Sequence, residues 1–226
     1  MILANRLKTA VSTTGSGVEF VDSFTRYNTS GSETITEMNI GTAASDRNVI
    51  IVLGFANLSP LTAISGVSVN GTALTLHYGT DGGANPIQTI IAAGLVTSGS
   101  TATVTITSSD NYDVFAAIYK YHAPSTTLTL VDNVSSSEAS NSNAALSDVE
   151  IQSGGVVFYG CSDRAENATS TVTWTGADTP VKGSVIVGLR NLHHGYIICT
   201  ESTTTDDLTI SIGGTDKVAR QAVSFI

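Results

Sequence analysis

The chain says the same thing twice. Its last stretch, LTISIGGTDKVARQAVSFI, reads as a strand, a polar turn and a strand, and so does VTITSSDNYDVFAAIYKY about a hundred residues earlier. Working backwards, HGYIICTES resembles QTIIAAGLV, STVTWTGADTPV resembles GVSVNGTALTLH, GGVVFYGCSD resembles RNVIIVLGFA, and ALSDVEI resembles ITEMNIG. The order is kept through six strands, and each unit is about 85 to 95 residues long, too long for a solenoid repeat. A chain of this kind is expected to hold two copies of one β unit, and it ends on a strand because each unit does. QAVSFI places Ala222, Ser224 and Ile226 on one face and Gln221, Val223 and Phe225 on the other. Such a strand needs a partner, because bare edges invite aggregation.

Within each unit the signals are those of strands. TITEMNI alternates, and NVIIVLGFA is a continuous apolar run of strand length, the pattern of a strand covered on both faces. Asn70-Gly71 between GVSV and TALTLHY marks a two-residue hairpin, since a type I′ turn needs positive φ at both central positions. Thr175-Gly176 stands in its place in the second unit. The expected fold is all-β, an antiparallel β-sandwich of jelly-roll or Ig-like kind, internally duplicated. Residues 1–30, polar and broken by STTGSG, are read as an N-terminal arm with a short strand at VEFVDSF. Residues 31–125 and 140–226 are the two repeats, and VDNVSSSEASNSN is read as a linker or long loop between them. Two tandem sandwiches fit the repeat, and so does one larger sandwich with interleaved halves. One compact unit is favoured, because a sheet with two apolar faces needs cover on both sides.

Composition narrows the partners. The net charge is −9, and the 10 basic residues are spread thinly. A nucleic-acid partner needs clustered Lys and Arg, and an anionic membrane needs the same, so neither is expected. The N-terminus lacks the apolar stretch of a signal peptide, so synthesis in the cytoplasm without export by that route is expected. The sequons at Asn28, Asn57, Asn70, Asn133 and Asn167 are therefore read as chance matches in a Ser/Thr-rich chain. Cys161 and Cys199 each sit in an apolar run and read as small buried hydrophobes, with a bridge open to them only if their strands are neighbours.

A search for chemistry returns little. His193-His194 would point to opposite faces of a regular strand, so a solvated turn is expected. His77 and His122 have no metal-like companion at local spacing. The acidic loops Asp81–Pro86 and Asp110–Asp113, and the pair Asp206-Asp207, lack calcium-loop spacing and read as solvated turns. Asp46-Arg47 reads as a turn with a surface ion pair. No nucleophile elbow, zinc-protease, phosphate-loop or dinucleotide motif occurs. Trp174 could stack on a sugar ring if exposed, but its alternating strand makes the core the better place for it. Tyr78, Tyr112, Tyr119 and Tyr121 are glycan candidates of the same weak kind. Paired carboxylates on a cleft, which a glycan-cleaving enzyme would need, are not evident. No catalytic residue, metal site or cofactor is expected.

The stretch ITEMNIGTAASDRNVIIVLGFANLSPLTAISGVSVNGTALTL, with GLVTSGSTATVTITSS and the closing AVSFI, resembles structural proteins of tailed bacteriophages. The resemblance covers most of residues 33–226 and rests on turns and strands. It implies a virion location after assembly in the host cytoplasm, and a non-enzymatic role as a capsid decoration or cement protein. The major capsid protein or other virion proteins would be the partners, and a homo-oligomer is expected, a trimer suiting a lattice with local threefold axes. Leu3, Arg6 and Leu7 in the arm would bind the partner. The alternative is a tail- or fibre-associated carbohydrate-binding module using Trp174.

Overall fold

The computed structural model describes residues 17–56, 63–79, 87–123, 127–138, 143–163, 170–187, 190–212 and 218–226. The first half runs through β1 (Val18–Ser30), β2 (Glu33–Asn39), β3 (Arg47–Ala56), β4 (Ile64–Val69), β5 (Thr72–Ala73), β6 (Thr75–Tyr78), β7 (Ile87–Leu95), β8 (Thr101–Ser108) and β9 (Asn111–His122). The second runs through β10 (Leu130–Glu138), β11 (Asn143–Ile151), β12 (Val156–Asp163), β13 (Ser170–Trp174), β14 (Val181–Val187), β15 (Arg190–Ile198), β16 (Thr203–Ile212) and β17 (Val218–Phe225). All the paired strands are antiparallel, as expected of an all-β sandwich.

The first half makes a five-stranded sheet, β1-β9-β3-β7-β6, and a smaller one, β2-β8-β4-β5. The second makes β10-β17-β12-β15-β14 and β11-β16-β13. Replacing strands by their counterparts turns one five-stranded order into the other and β2-β8-β4 into β11-β16-β13, while β5 has no counterpart among the described strands. Each sheet draws its strands from one half, so the halves stack and do not interleave. Three apolar layers separate four sheets. Phe24, Met38, Ile51, Leu53 and Val104 fill the space between the two first-half sheets. Ile50, Val52, Phe158, Tyr196 and Val223 fill the seam between the two five-stranded sheets. Val157, Tyr159, Trp174, Ile197 and Leu208 fill the space between the second-half sheets.

This stacking explains the unbroken apolar runs. Every residue of β3, β12 and β17 is buried, because both faces of each are covered. On β3, Val49, Ile51, Leu53 and Phe55 face the first-half core while Ile50, Val52 and Ala56 face the seam. Burying each such side chain contributes roughly 1.5–3 kcal/mol. The sheets approach closely where they cross. A Cβ on Gly54 would lie 2.4 Å from Ser162 Oγ, and one on Gly160 would lie 2.6 Å from Val52 Cγ1.

The likeness of the halves extends to irregularities. β2 carries a register shift between Ile35 and Met38 with Glu37 at φ 59, and β11 carries one between Leu146 and Val149 with Asp148 at φ 57. The turn side chains correspond as well: Asn70 Oδ1 accepts from Thr103 N at 2.8 Å, and Thr175 Oγ1 accepts from Asp207 N at 2.7 Å, although Thr175-Gly176 closes no hairpin among the described strands, since β13 pairs only with β16 and β14 joins the other sheet.

Two expected boundaries need correction. Residues 18–30 are not arm but a full strand paired along β9, with Phe24 in the core. Register shifts at Phe20/Asp22 and Arg26/Thr29 break the alternation that would have marked it. The supposed linker contains β10, an edge strand paired only with β17, whose Ser-rich half-exposed face hides its periodicity. Residues 1–16 of the expected arm, Leu3, Arg6 and Leu7 among them, lie outside the described residues.

Candidate functional site

The histidines expected in a solvated turn are strand residues. His193 and His194 lie in β15 and point to opposite faces, and both are buried because both faces are covered. His194 enters the seam, where Nδ1 hydrogen-bonds the Tyr119 hydroxyl of β9 and Phe20 of β1 stacks on the ring at 5.5 Å. Burial, then the neighbouring His193, pushes its pKa down to about 3. It is therefore a neutral hydrogen-bonding group. Tyr112, Tyr119 and Tyr121 are buried as well; burial raises the hydroxyl of Tyr119 well above the usual phenol range and those of Tyr112 and Tyr121 to about 12. Their ring faces serve the core and are not free for a glycan.

His193 enters the second-half core. Its Nε2 lies 3.0 Å from Asp163 Oδ2, without the alignment of a hydrogen bond, while Asp163 Oδ1 accepts from Asn191 Nδ2 at 2.8 Å. In the same row Cys161 has His193 opposite it on β15 and Arg220 on β17. A thiol between an imidazole and a guanidinium suggests nucleophilic chemistry, but Cys161 is fully buried and burial holds its pKa far above neutrality. A buried thiol held in its protonated form serves as a packing group. Cys199, also buried, is raised to about 12, chiefly by burial. The cysteine strands are neighbours, yet Cys161 is opposite His193 while Cys199 follows Ile198, which pairs with Val156 at the far end of β12. Both thiols are free.

Arg47 is not at the surface. It is fully buried, and its guanidinium donates to the carbonyls of Val96, Gly41, Gly99 and Ser98, each at 2.7 Å. Asp46 instead pairs with His122 Nδ1 at 3.0 Å, which lowers the carboxyl pKa. Asp113 and Asp206 are also buried, against the expectation of solvated turns, while 81–86 lies outside the described residues. Asp206 has its carboxyl pKa raised by burial and then by Glu201, Asp178 and Asp207. Among the described residues no three His, Cys, Asp or Glu side chains converge as a metal site.

Trp174 packs in the second-half core, 8% exposed, with Gly176 against its Nε1. Its ring has no free face to offer a sugar. A cleft of ≈ 420 Å³ lies at one edge of the seam, lined by Asn48, Thr75, His77, Leu95, Leu130 and Phe225 among others. His77, expected in a strand, is buried in its wall edge-on to Phe225 at 5.2 Å, and burial lowers its pKa. Leu95 and Leu130 are 37% and 47% exposed. The cleft is invisible in the sequence because its walls come from both halves.

The geometry defines a class, a stacked all-β protein with a buried polar interior and a mixed cleft at the edge of its seam. No family model, curated protein or solved structure matches the chain.

Proposed function

We propose that the protein is a non-enzymatic structural component of a phage virion, a capsid decoration or cement protein held on the outer head surface. The observation that carries this reading is the use made of buried polar groups. Arg47 is spent on four carbonyls, Asp163 on Asn191, and His194 on Tyr119, so these polar groups bind strands and layers together. A body braced in this way suits a part that carries load on a shell. The motifs that resemble phage structural proteins supply β2, β3 and the β4–β5 hairpin, which are scaffold elements. Many copies bound across subunit junctions would stabilise a shell by mass action.

The test is binding of purified protein to empty heads lacking it. The variant to compare begins at Gly17, because a longer deletion would remove β1 and its core Phe24. Saturation at a fixed copy number per shell is expected, with the capsid protein as partner, and light scattering is expected to return a trimer. Absence of binding to heads overturns the decoration role. Binding to tails or glycans instead would favour the attachment alternative.

A further inference from the structure

The seam between the two five-stranded sheets opens at one edge. On the first-half side Thr75 and His77 of β6 stand beside Ala93 and Ile91 of β7, and Asn48 of β3 stands beside Leu95. On the second-half side Leu130 of β10 stands beside Phe225 of β17. Between these walls lies the cleft of ≈ 420 Å³. Small-molecule sites span roughly 300–1,000 Å³. The walls are tied together at one end, where Gln221 Nε2 donates to His77 O at 2.8 Å and Asn133 Nδ2 donates to Tyr78 O at 3.1 Å. These bonds hold β10 and β17 against β6, so the cleft is preformed.

Two buried polar side chains in these walls have hydrogen-bonding capacity left over. His77 is 9% exposed, its ring meets Phe225 edge-on, and among the described residues neither ring nitrogen has a hydrogen-bond partner. Burial lowers its pKa, so at pH 7 the ring is neutral, with one nitrogen a donor and the other an acceptor. Asn48 is 1% exposed; its Nδ2 donates to Asp46 O at 3.3 Å, and its Oδ1 accepts from none of the described residues. Buried polar groups are normally paired, and a ligand that pairs them recovers the cost of their burial. The cleft-lining residues include no Lys, Arg, Asp or Glu. A charged ligand would lose hydration there and gain no counter-charge. Leu95, Leu130 and Phe225 offer it apolar surface instead.

We propose that this cleft binds a small uncharged amphipathic molecule, its hydroxyl hydrogen-bonded to His77 and Asn48 and its apolar body laid against Leu95, Leu130 and Phe225. A hydroxyl suits the pair because it donates one hydrogen bond and accepts others, matching an amide oxygen and a neutral imidazole. The apolar body gains by leaving water between the two sheets. The ligand touches both halves, so its binding also favours their stacked arrangement. The inference does not depend on the virion role.

The experiment titrates the full chain with para-butylphenol, a neutral hydroxyl on an apolar body, by calorimetry. Saturable one-to-one binding is expected. In spectra of isotope-labelled histidine, the ring nitrogens of His77 should shift on binding while those of the buried His193 and His194 stay in place. The anion para-butylbenzoate, of the same shape, should bind about tenfold or more weakly, since the walls hold no cation. His77→Phe keeps an aromatic ring but removes both nitrogens, and should weaken the phenol by about tenfold or more. Leu130→Asp should do the same by placing a charge in the apolar wall; Leu130 is exposed enough for this variant to fold, which circular dichroism would verify, and it decides the matter alone if His77→Phe does not fold. No saturable binding overturns the proposal. So does equal binding of phenol and benzoate, or binding indifferent to the substitutions, or a shift at His193 or His194 in place of His77.

Discussion

Asp22 and Asp132 do the same work in the two halves. Asp22 Oδ1 accepts from Ser23 N at 2.9 Å and Oδ2 from Asn39 N at 2.9 Å. Asp132 Oδ1 accepts from Asn133 N at 2.7 Å and Oδ2 from Glu150 N at 3.0 Å. Each stands at the irregularity in the first strand of its half and ties it to the second strand, which belongs to the other sheet. A carboxylate is suited to this because it accepts two N–H groups at once. Asp22→Ala should cost about 1–3 kcal/mol, the more buried Asp22 costing more than Asp132→Ala. Urea midpoints would measure both, and an unchanged midpoint for Asp22→Ala would remove the tie from the account.

Arg47 holds four carbonyls with one planar group. Lys keeps the charge but cannot reproduce that fork. Arg47→Lys is expected to lower stability by roughly 2–4 kcal/mol, and Arg47→Ala by more, since it strands the carbonyls without donors. Equal stability of Arg47→Lys and the parent in denaturant titrations would contradict this.

Gly54 and Gly160 let the two five-stranded sheets touch. Gly160→Ala brings a methyl group against Val52 and Thr89, at an expected cost of about 1–3 kcal/mol. Val52→Ala, itself a cavity-forming change, should recover part of that loss when combined with it. A double-mutant cycle with no coupling would show that the seam yields elsewhere.

His194 makes stability depend on acid. Its folded pKa, about 3, lies below the ordinary 6.5, so below pH 6.5 the unfolded chain takes up a proton that the folded chain refuses. The contribution of the neutral imidazole is complete above pH 6.5 and falls as pH drops toward 3, by on the order of 4 kcal/mol in total. His194→Gln, measured by denaturant midpoints between pH 7 and 3.5, should show a shallower fall than the parent. Parallel curves would mean that the histidine does not titrate on unfolding.

Cys161 and Cys199 should both resist an aromatic disulfide reagent in buffer and react together in urea, because both are buried in the second-half core. Fast labelling of either in the native protein would show that the core opens locally.

Much of the fold can be read from local pattern. NVIIVLGFA and VVFYGCSD announce strands covered on both sides, and Asn70-Gly71 announces its hairpin, because period and turn chemistry are properties of neighbouring residues. β1 and β10 escape this reading for the same reason inverted: Asp22 and Asp132 mark irregularities that shift the alternation. The burial of His193, His194 and Arg47 escapes it too, since a polar side chain in a strand carries no sign of what will cover it. The cleft needs residues 48, 75, 95, 130 and 225 in one place, which only the stacking of the halves decides.

The seam has a consequence for the chain cut in two. Each half would keep its own pair of sheets and its own inner core, but would display a broad oily surface that its former companion had hidden. Another copy of the same half, with the same strand order, is the most similar surface within reach. Either half made alone is therefore expected to pair with itself. The full chain is arranged as such a pair would be, with a peptide bond doing the work of concentration.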